Sequence, residues 1–209
     1  MATGDSGESP ADPRPSLKVI LGLGNPGERY VETRHNVGFR VIEELARRRG
    51  LTLEALECNC LGAGAPGLLL AAPQTFMNRS GFTARCLRER HGLEAENFLI
   101  VYDEARLPLG TLRLRTQGSP AGHRGMESVL ENLGTDRVAR LRLGVGPEGA
   151  ELPGGELVDF VLGDFESEQR DEVSRMVERA AEACETWADE GSQQAMQRWN
   201  GAPPVAEAG

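Results

Sequence analysis

The sequence predicts an α/β fold, with a single domain built on a central, largely parallel sheet and helices packed against it. Short apolar runs rich in Val, Ile and Leu alternate along the chain with segments of helical periodicity. The 209 residues, 39% of them hydrophobic, are enough for one substantial core. No apolar run approaches the roughly 18 residues that a membrane span needs, so we expect no membrane association.

The predicted strands are the runs Leu17–Leu23, Leu68–Ala72, Asn97–Tyr102, Thr111–Arg115, Arg140–Val145 and Leu157–Val161. The predicted helices are Val37–Arg49, Gly81–Arg90, Met126–Leu133 and Ser167–Glu190. The first helix has clear end signals, because Asn36 is a suitable N-cap and Gly50 fits the C′ position. The last helix carries apolar residues at three- and four-residue spacing, which is the ordinary pattern of a core-facing helix.

Both ends of the chain are predicted to be disordered tails, which leaves residues 17–200 for the domain. Residues 1–16 are rich in Pro, Gly, Ser and acidic residues and have no apolar pattern, and residues 201–209 are similar. A transit peptide would be rich in Arg and poor in acids, whereas Asp5, Glu8 and Asp12 lie in the first tail. This composition favours the cytosol.

The cysteines favour a reducing compartment and no metal site. Four cysteines without a secretory leader do not indicate a disulfide scaffold. Cys58 and Cys60 form a C-x-C pair, but no second pair follows at a spacing typical of zinc sites. We interpret the two as opposite faces of a short strand.

The net charge of −9 is unevenly distributed along the chain. Residues 1–16 carry −2 and residues 148–209 carry −11, whereas residues 17–147 carry +4. The basic part is therefore compatible with a phosphate-bearing partner. Because the chain has a single lysine, arginines would have to make the phosphate contacts.

The most informative segment is Gly22–Gly27, which follows the first predicted strand and matches the G-x-G-x-x-G pattern of dinucleotide sites. A dinucleotide site requires a helix to begin at the third glycine and an acidic residue about 20 positions later, at a strand end. Residues 28–33 lack helical periodicity, and Glu43 and Glu44 fall inside the first predicted helix. We therefore expect no dinucleotide cofactor.

Polar side chains follow three of the predicted strands. Asn25 follows the first strand, Asn78 comes soon after Leu68–Ala72, and Asp103 follows Asn97–Tyr102. Ligands of open α/β sheets bind outside the carboxyl ends of the strands. His35 is one short loop from Asn25, so we expect these groups to meet in one crevice.

Several separated motifs occur in an order that resembles the bacterial-type peptidyl-tRNA hydrolases. They are Gly22–Gly27 with Tyr30 and Thr33–Gly38, then Pro73–Gly81, Tyr102–Glu104 with Leu107–Gly110, Gly122–Gly125, Arg140–Gly146 and Asp159–Leu162. The resemblance runs from about Leu17 to Asn200. It implies a twisted mixed sheet flanked by helices, and hydrolysis of the ester between a peptide and tRNA. Because relatives in nucleated cells are often associated with mitochondria, it leaves both cytoplasm and mitochondria open.

The resemblance implies that His35 is the general base, that Asp103 is its partner, and that Asn25 and Asn78 contact the peptide end and the water. The chemistry agrees, since attack of water on an ester requires a base near neutral pH, a group that orients it, and donors for the oxyanion. A helix N-terminus after His35 would favour its neutral form. No metal, cofactor or obligate protein partner is expected. We assign no catalytic role to His91 or His123.

Substrate binding is predicted to involve aromatic and basic residues. Tyr30 and Phe76 flank the expected crevice and are suited to the peptide or the terminal adenosine, although core packing is an alternative for Phe76. Arg113 and Arg115 alternate along one strand, as do Arg140 and Arg142 along another, so each pair presents its charges on one face. By motif alignment, Arg115 and Arg142 match basic positions with which the family clamps a tRNA phosphate.

The chain departs from the family pattern at Arg124, where the family usually has asparagine. An arginine donates hydrogen bonds and is always charged, so its expected role is contact with tRNA rather than orientation of water. A solvated arginine on a glycine-rich loop is the alternative. The departure also leaves open an RNA-binding adaptor that has kept the fold without strong turnover.

Overall fold

The computed structural model describes residues 17–147 and 157–201, and these contain seven strands and six helices of at least six residues. In chain order they are β1 (Lys18–Gly22), α1 (Val37–Arg48), β2 (Glu54–Leu56), β3 (Cys60–Ala65), β4 (Leu68–Pro73), α2 (Ser80–His91), β5 (Phe98–Pro108), β6 (Leu112–Arg115), α3 (Arg124–Leu133), β7 (Ala139–Gly146), α4 (Leu157–Leu162), α5 (Arg170–Glu190) and α6 (Ser192–Trp199). In these two ranges, no helix is long and apolar enough to cross a membrane. The predicted α/β fold is confirmed. The predicted tails, 1–16 and 202–209, lie outside the described residues.

The strands form one mixed sheet in the order β2-β3-β4-β1-β5-β7-β6. The four central strands β4, β1, β5 and β7 are parallel to their neighbours in that group. β3 pairs antiparallel with β2 and β4 at one side, and β6 pairs antiparallel with β7 at the other. The parallel centre places the carboxyl ends of β1, β4 and β5 at the same edge of the sheet.

Helices cover both faces of the sheet, so each central strand buries alternate side chains in two cores. α1 and α5 pack on one face, where Val41, Ile42 and Met176 meet strand residues such as Val101. α2 and α3 pack on the other, where Leu87, Met126 and Val129 meet Ile100 and Tyr102. Burial on both faces is typical of parallel strands, and it explains their nearly continuous apolar sequence.

Two glycines let α1 lie unusually close to the end of β1. A Cβ added at Gly22 would lie 2.2 Å from the carbonyl oxygen of Gly38, and a Cβ added at Gly38 would lie 2.4 Å from that of Leu23 and 2.5 Å from that of Val101. These neighbours are backbone atoms that cannot rotate away. The absence of side chains therefore allows α1 to begin this close to the sheet, directly after the segment that carries His35.

One predicted strand is wrong. Leu157–Val161 was expected to be a strand, but these residues belong to helix α4. Their Leu, Val and Phe content suits a strand, and a short apolar run cannot be assigned from periodicity alone. The apolar residues Leu157, Val158, Val161 and Leu162 have helical spacing and line a common crevice.

The hairpin β2–β3 and the helix α6 were not predicted. β2 is exposed along its whole length, and β3 has the sequence CLGAGA, which has low strand propensity. Cys60 begins β3, but Cys58 lies in the turn before it, so the interpretation of both as one strand is wrong. Cys58 also forms a disulfide with Cys86 of α2, whereas the cysteine content had suggested no disulfide scaffold.

We expect Gly38→Ala to lower the free energy of unfolding by about 3 kcal/mol, in the range of severe overpacking. The reason is the contact of the added methyl group with the backbone of Leu23 and Val101. Urea denaturation monitored by circular dichroism measures the change. Gly64→Ala is a matched control, because a Cβ there has no neighbour within 4 Å, and it should change the free energy by less than about 0.5 kcal/mol. Equal stability of the two variants would contradict the close-approach argument.

Candidate active site

A crevice of about 250 Å³ opens at the carboxyl edge of the sheet, and we call it the central crevice. Its walls come from the loop after β1, the segment before α1, the loop after β4, the middle of β5, the start of α3, and α4. Its polar lining consists of Asn25, His35, Asn78, Asp103, Glu104, Arg106, His123 and Arg124. The predicted residues His35, Asp103, Asn25 and Asn78 thus line a single crevice.

His35 and Asp103 form the central pair. His35 lies in a single turn of 3₁₀ helix, Arg34–Asn36, directly before α1. Its Nδ1 is 2.8 Å from Oδ1 of Asp103, which projects from β5 and is 2% exposed. An ionised carboxylate can only accept, so Nδ1 carries the proton. The Nε2 atom of His35 is therefore left with its lone pair.

His123 bonds to the same carboxylate oxygen. Its Nε2 is 3.1 Å from Oδ1 of Asp103, and its Nδ1 accepts a hydrogen bond of 3.1 Å from the backbone N–H of Met126 as the N-cap of α3. Since Nδ1 accepts, the proton of a neutral His123 lies on Nε2 and is donated to Asp103. His123 thus supports the carboxylate and has no lone pair in the crevice. The sequence predicted no catalytic role for His123, and the structure places it at the centre of the site, in contact with Asp103.

The pKa values of the central pair are shifted in opposite directions. Burial alone would raise the pKa of Asp103, but the charges and hydrogen bonds of His35 and His123 outweigh it and hold that pKa well below its ordinary value. Burial disfavours the imidazolium of His35, yet the charge and hydrogen bond of Asp103 prevail and raise the pKa of His35 above 6.5. That the helix N-terminus favours the neutral form of His35 stays a prediction.

The same three side chains could be considered as metal ligands, because one potential ligand atom from each lies within 4.8 Å of the others. A zinc ion would need a lone pair from each histidine. The Met126 hydrogen bond leaves a proton on Nε2 of His123, and Nδ1 of His35 donates to Asp103. The geometry is that of a hydrogen-bonded unit, and its donor pattern does not suit zinc.

Asn25 is held by two neighbours and offers one free end to the crevice. Its Oδ1 accepts from the backbone N–H of Met77 at 2.8 Å. Its backbone N–H and carbonyl bond to the side-chain amide of Asn36 at 2.9 and 3.0 Å. The Nδ2 donor of Asn25 has no protein partner among the described residues.

Asn36 was predicted as a side-chain N-cap of α1, but it makes no capping hydrogen bond and holds Asn25 instead.

Thr33 and Arg34 hold the segment before His35 against the chain that follows α4. Thr33 forms an isolated bridge with Asp164. The guanidinium of Arg34 donates to the carbonyl of Asp164 at 2.6 Å and stacks on Phe160 at 4.4 Å. Arg34 is 7% exposed and does not line the crevice, so its role is to hold the segment before His35 in place.

The remaining lining is partly apolar and partly basic. Phe76 is 58% exposed and lies in the loop after β4, beside the exposed Asn78. Val158 of α4 is 56% exposed and lines the crevice together with Leu157, Val161 and Leu162. Arg124, the first residue of α3, is exposed at the rim. Such a crevice offers apolar contact to a ligand next to a small number of polar groups.

Three predicted residues do not line the crevice. Tyr30 is half-buried, and the guanidinium of its neighbour Arg29 stacks on its ring and donates to its hydroxyl. Arg115 and Arg142 lie on β6 and β7, farther along the sheet.

The arginines of β6 and β7 form a row on the face of the sheet that carries α2 and α3. Arg113 is opposite Arg142, and Arg115 is opposite Arg140. Arg140 is 2% exposed and donates to the carbonyls of Gly118, Ser119, Asp136 and Val138, so it serves the structure. Arg142 pairs with Glu104 at 3.3 Å, and Glu104 also lines the crevice. Arg115 is exposed, and Arg113 and Arg142 are half-buried. We call these three residues the arginine row.

Comparisons with known proteins agree with this architecture. A family model described as peptidyl-tRNA hydrolase matches residues 19–207. A peptidyl-tRNA hydrolase from Bacillus thuringiensis subsp. konkukian is 41% identical over 189 residues, which are 88% of this chain and 100% of the relative. One from Herpetosiphon aurantiacus is 42% identical over 193 residues, covering 89% of this chain and 91% of that protein.

Solved structures show the same fold. The crystal structure of peptidyl-tRNA hydrolase from Acinetobacter baumannii superposes with a TM-score of 0.82 at 29% identity, covering 93% of this chain and all of that one. A complex of a peptidyl-tRNA hydrolase with n-propanol gives the same score and identity over 90% of this chain and 97% of that one. On the evidence of the family model, the sequence relatives and the shared fold, this chain belongs to the peptidyl-tRNA hydrolase family.

Proposed function

We propose that the protein hydrolyses the ester that joins a peptide, or an N-blocked aminoacyl group, to the terminal ribose of tRNA. The observation that carries this proposal is the His35–Asp103 pair, in which Nε2 of His35 retains its lone pair in an open crevice. Family membership supplies the substrate class. The bacterial origin of the relatives supports action in the cytoplasm rather than in mitochondria, and the chemistry requires no protein partner.

His35 acts as general base on a water molecule. Nε2 takes a proton from the water as its oxygen attacks the carbonyl carbon of the ester, and Asp103 stabilises the imidazolium that forms. The tetrahedral intermediate then collapses with cleavage of the bond to the ribose oxygen. The imidazolium returns its proton to that oxygen, so that a free carboxylic acid, which ionises, and a tRNA hydroxyl are released. His123 keeps Asp103 in place throughout.

The side-chain amides stabilise the reacting carbonyl. Nδ2 of Asn25 is the free donor of an amide whose oxygen is fixed by Met77, so its direction is set before the substrate arrives. Asn78 follows Met77 directly and lines the same crevice. A donor aimed at the oxyanion is effective because it is preorganised. Asn25 fits that role, and Asn78 contacts the peptide end or the attacking water.

The apolar and basic surfaces hold the rest of the substrate. Phe76 and the exposed apolar residues of α4 take up the flat face of the terminal adenosine or an apolar part of the peptide. Arg115 and Arg142 contact tRNA phosphate, which supplies affinity without base readout. Arg124 at the rim contributes to tRNA binding, since a guanidinium pairs well with phosphate and cannot accept a hydrogen from water.

His35→Ala should lower kcat for N-acetyl-aminoacyl-tRNA by about 10²- to 10⁴-fold, the usual cost of losing a general base. Release of labelled N-acetyl-amino acid measures the rate, and filter binding should show nearly unchanged affinity for tRNA. The matched control is His91→Ala, since His91 is exposed at the end of α2. Retention by His35→Ala of more than half of the wild-type rate would exclude His35 as the base.

Asp103→Asn should move the acid limb of the kcat profile to lower pH. The active form of His35 is neutral, so the wild-type rate falls as the pH drops through its pKa, which Asp103 raises above 6.5. Without that charge, burial remains and lowers the pKa. The maximal rate should also fall by about 10²-fold or more, because the imidazolium loses its counter-charge. An acid limb at the same pH in both proteins would show that Asp103 does not set the pKa of the base.

Arg115→Ala should weaken the binding of all tRNAs alike and reduce the slope of log affinity against log salt by about one. Arg142→Ala should weaken binding more, because Glu104 then loses its partner beside the crevice. The matched control is Arg47→Ala, which changes the net charge equally but lies on α1. Its slope of log affinity against log salt should equal that of the wild type. Loss of binding for one tRNA sequence only would indicate base readout and contradict the assignment.

A further inference from the structure

The disulfide between Cys58 and Cys86 lies next to the central crevice and joins two elements that are distant in sequence. It links the turn between β2 and β3 to the middle of α2, across a sequence separation of 28 residues, with the two Cα atoms 5.5 Å apart. Few cytoplasmic proteins keep permanent disulfides, and those that form one mostly use it reversibly. Its surroundings suit such a use.

The two cysteines of the disulfide are partly exposed, whereas the two free cysteines are not. Cys58 and Cys86 are half-buried and line a groove of about 540 Å³, which we call the disulfide groove, together with Phe76, Arg79 and Phe82. The free cysteines Cys60 and Cys184 are buried. Burial raises the pKa of the Cys60 thiol to about 11 and raises that of Cys184 further. Thiol exchange requires a thiolate and access, so it is selective for Cys58 and Cys86.

The turn that carries Cys58 is held in an unfavourable backbone conformation. Cys58 and the following Asn59 have φ values of 66° and 52°, in the left-handed region that few residues other than glycine adopt. Asparagine tolerates this region, but cysteine does not favour it. The disulfide to α2 and the hydrogen bond from Thr83 Oγ1 to the Cys58 carbonyl, at 3.0 Å, hold the turn in place. After cleavage of the disulfide, the Thr83 hydrogen bond and the ion pair between Arg90 of α2 and Glu57 still tie this turn to α2, without the covalent link.

The same turn holds the loop that forms one wall of the central crevice. The backbone N–H of Gln74 donates to the carbonyl of Asn59 at 2.8 Å, and the side-chain amide of Asn59 donates to the carbonyl of Gln74 at 3.2 Å. Gln74 begins the segment 74–79, in which Phe76 lines both the disulfide groove and the central crevice. Cys58 is thus connected to Phe76 through the adjacent Asn59 and the two Asn59–Gln74 hydrogen bonds, since Phe76 lies two residues after Gln74.

We propose that Cys58 and Cys86 are a reversible thiol–disulfide modification site, whose state sets how firmly segment 74–79 is held and therefore how tightly the substrate binds. Two cysteine thiols and one molecule of a small disulfide, such as glutathione disulfide, give the protein disulfide and two small thiols. Two electrons pass from the cysteines to the small disulfide, and a low-molecular-weight thiol reverses the step. The oxidised form has the ordered segment and the higher affinity. The kinetic consequence rests on the proposed hydrolase function, whereas the cross-link and its effect on the segment do not.

Two measurements on the full chain test the site without any assay of activity. After equilibration with glutathione disulfide or with dithiothreitol, peptide mapping of alkylated protein should find Cys58 joined to Cys86 in the first sample and both alkylated in the second. Cys60 and Cys184 should remain thiols in both. Amide hydrogen exchange should then be faster in the reduced protein at Gln74 and Met77, and unchanged in α3. A failure to form this cross-link, or equal exchange of segment 74–79 in both samples, would overturn the proposal.

The kinetic experiment compares KM and kcat for N-acetyl-aminoacyl-tRNA in the two redox states. Reduction should raise KM about fivefold, the lower end of usual coupling between sites. The fall in kcat should be smaller than the rise in KM, because His35 and Asp103 lie on other elements, whereas Asn78 and the Met77 N–H that fixes Asn25 belong to the segment. Cys86→Ser should have the high KM with either reagent. Cys60→Ser is the matched control and should keep the full response, since a serine hydroxyl can replace the thiol that donates to the Glu57 carbonyl. Equal KM in both wild-type samples would refute control of the crevice, and a response retained in Cys86→Ser would assign it to another cysteine.

Discussion

The buried carboxylate of Asp103 is the group on which the arrangement of the central crevice depends. It is 2% exposed, and one of its oxygens accepts from two histidines that come from distant parts of the chain. A buried charge is costly unless it is paired and hydrogen-bonded, so the segment before α1, the strand β5 and the start of α3 must meet at this point. The same bonds set both histidine tautomers. They leave Nε2 of His35 with a lone pair. Among the three side chains, this nitrogen is the atom suited to take a proton.

Most of the glycine-rich motif and the histidine motif that follows it support this unit without lining the crevice. Gly22 and Gly38 allow α1 to approach β1, Asn36 holds the backbone of Asn25, and Arg34 holds the chain after α4. Only Asn25 and His35 from these motifs line the crevice. A pattern that resembles a dinucleotide site therefore serves helix packing and the positioning of two side chains.

Features that depend on a local sequence pattern could be predicted from the sequence. Features that depend on contacts between distant residues could not. Alternating apolar runs and helical stripes predicted the α/β fold, and the strand ends located His35, Asp103, Asn25 and Asn78 in one crevice. The role of His123 could not be predicted, because its loop looks like a glycine-rich turn and its partner Asp103 is 20 residues away. The disulfide likewise depends on a fold that brings together cysteines 28 residues apart.

The sheet also explains how a chain with a net charge of −9 can carry a basic surface. Along β6 and β7, leucines alternate with the arginines and bury themselves under α5, so the arginines lie on the opposite face. Helix α5 carries many of the acidic residues, and two of these, Glu182 and Glu185, pair with Arg48 of α1 and the following Arg49 on that same leucine face. The acids of α5 and the arginine row therefore lie on opposite faces of the sheet. Because charges farther apart than about 8–10 Å are largely screened at physiological salt, the acids of α5 have little effect on a phosphate at the arginine row. The electrostatic potential at each face of the sheet is therefore set by the charges on that face. The net charge of the chain is a poor guide to this potential.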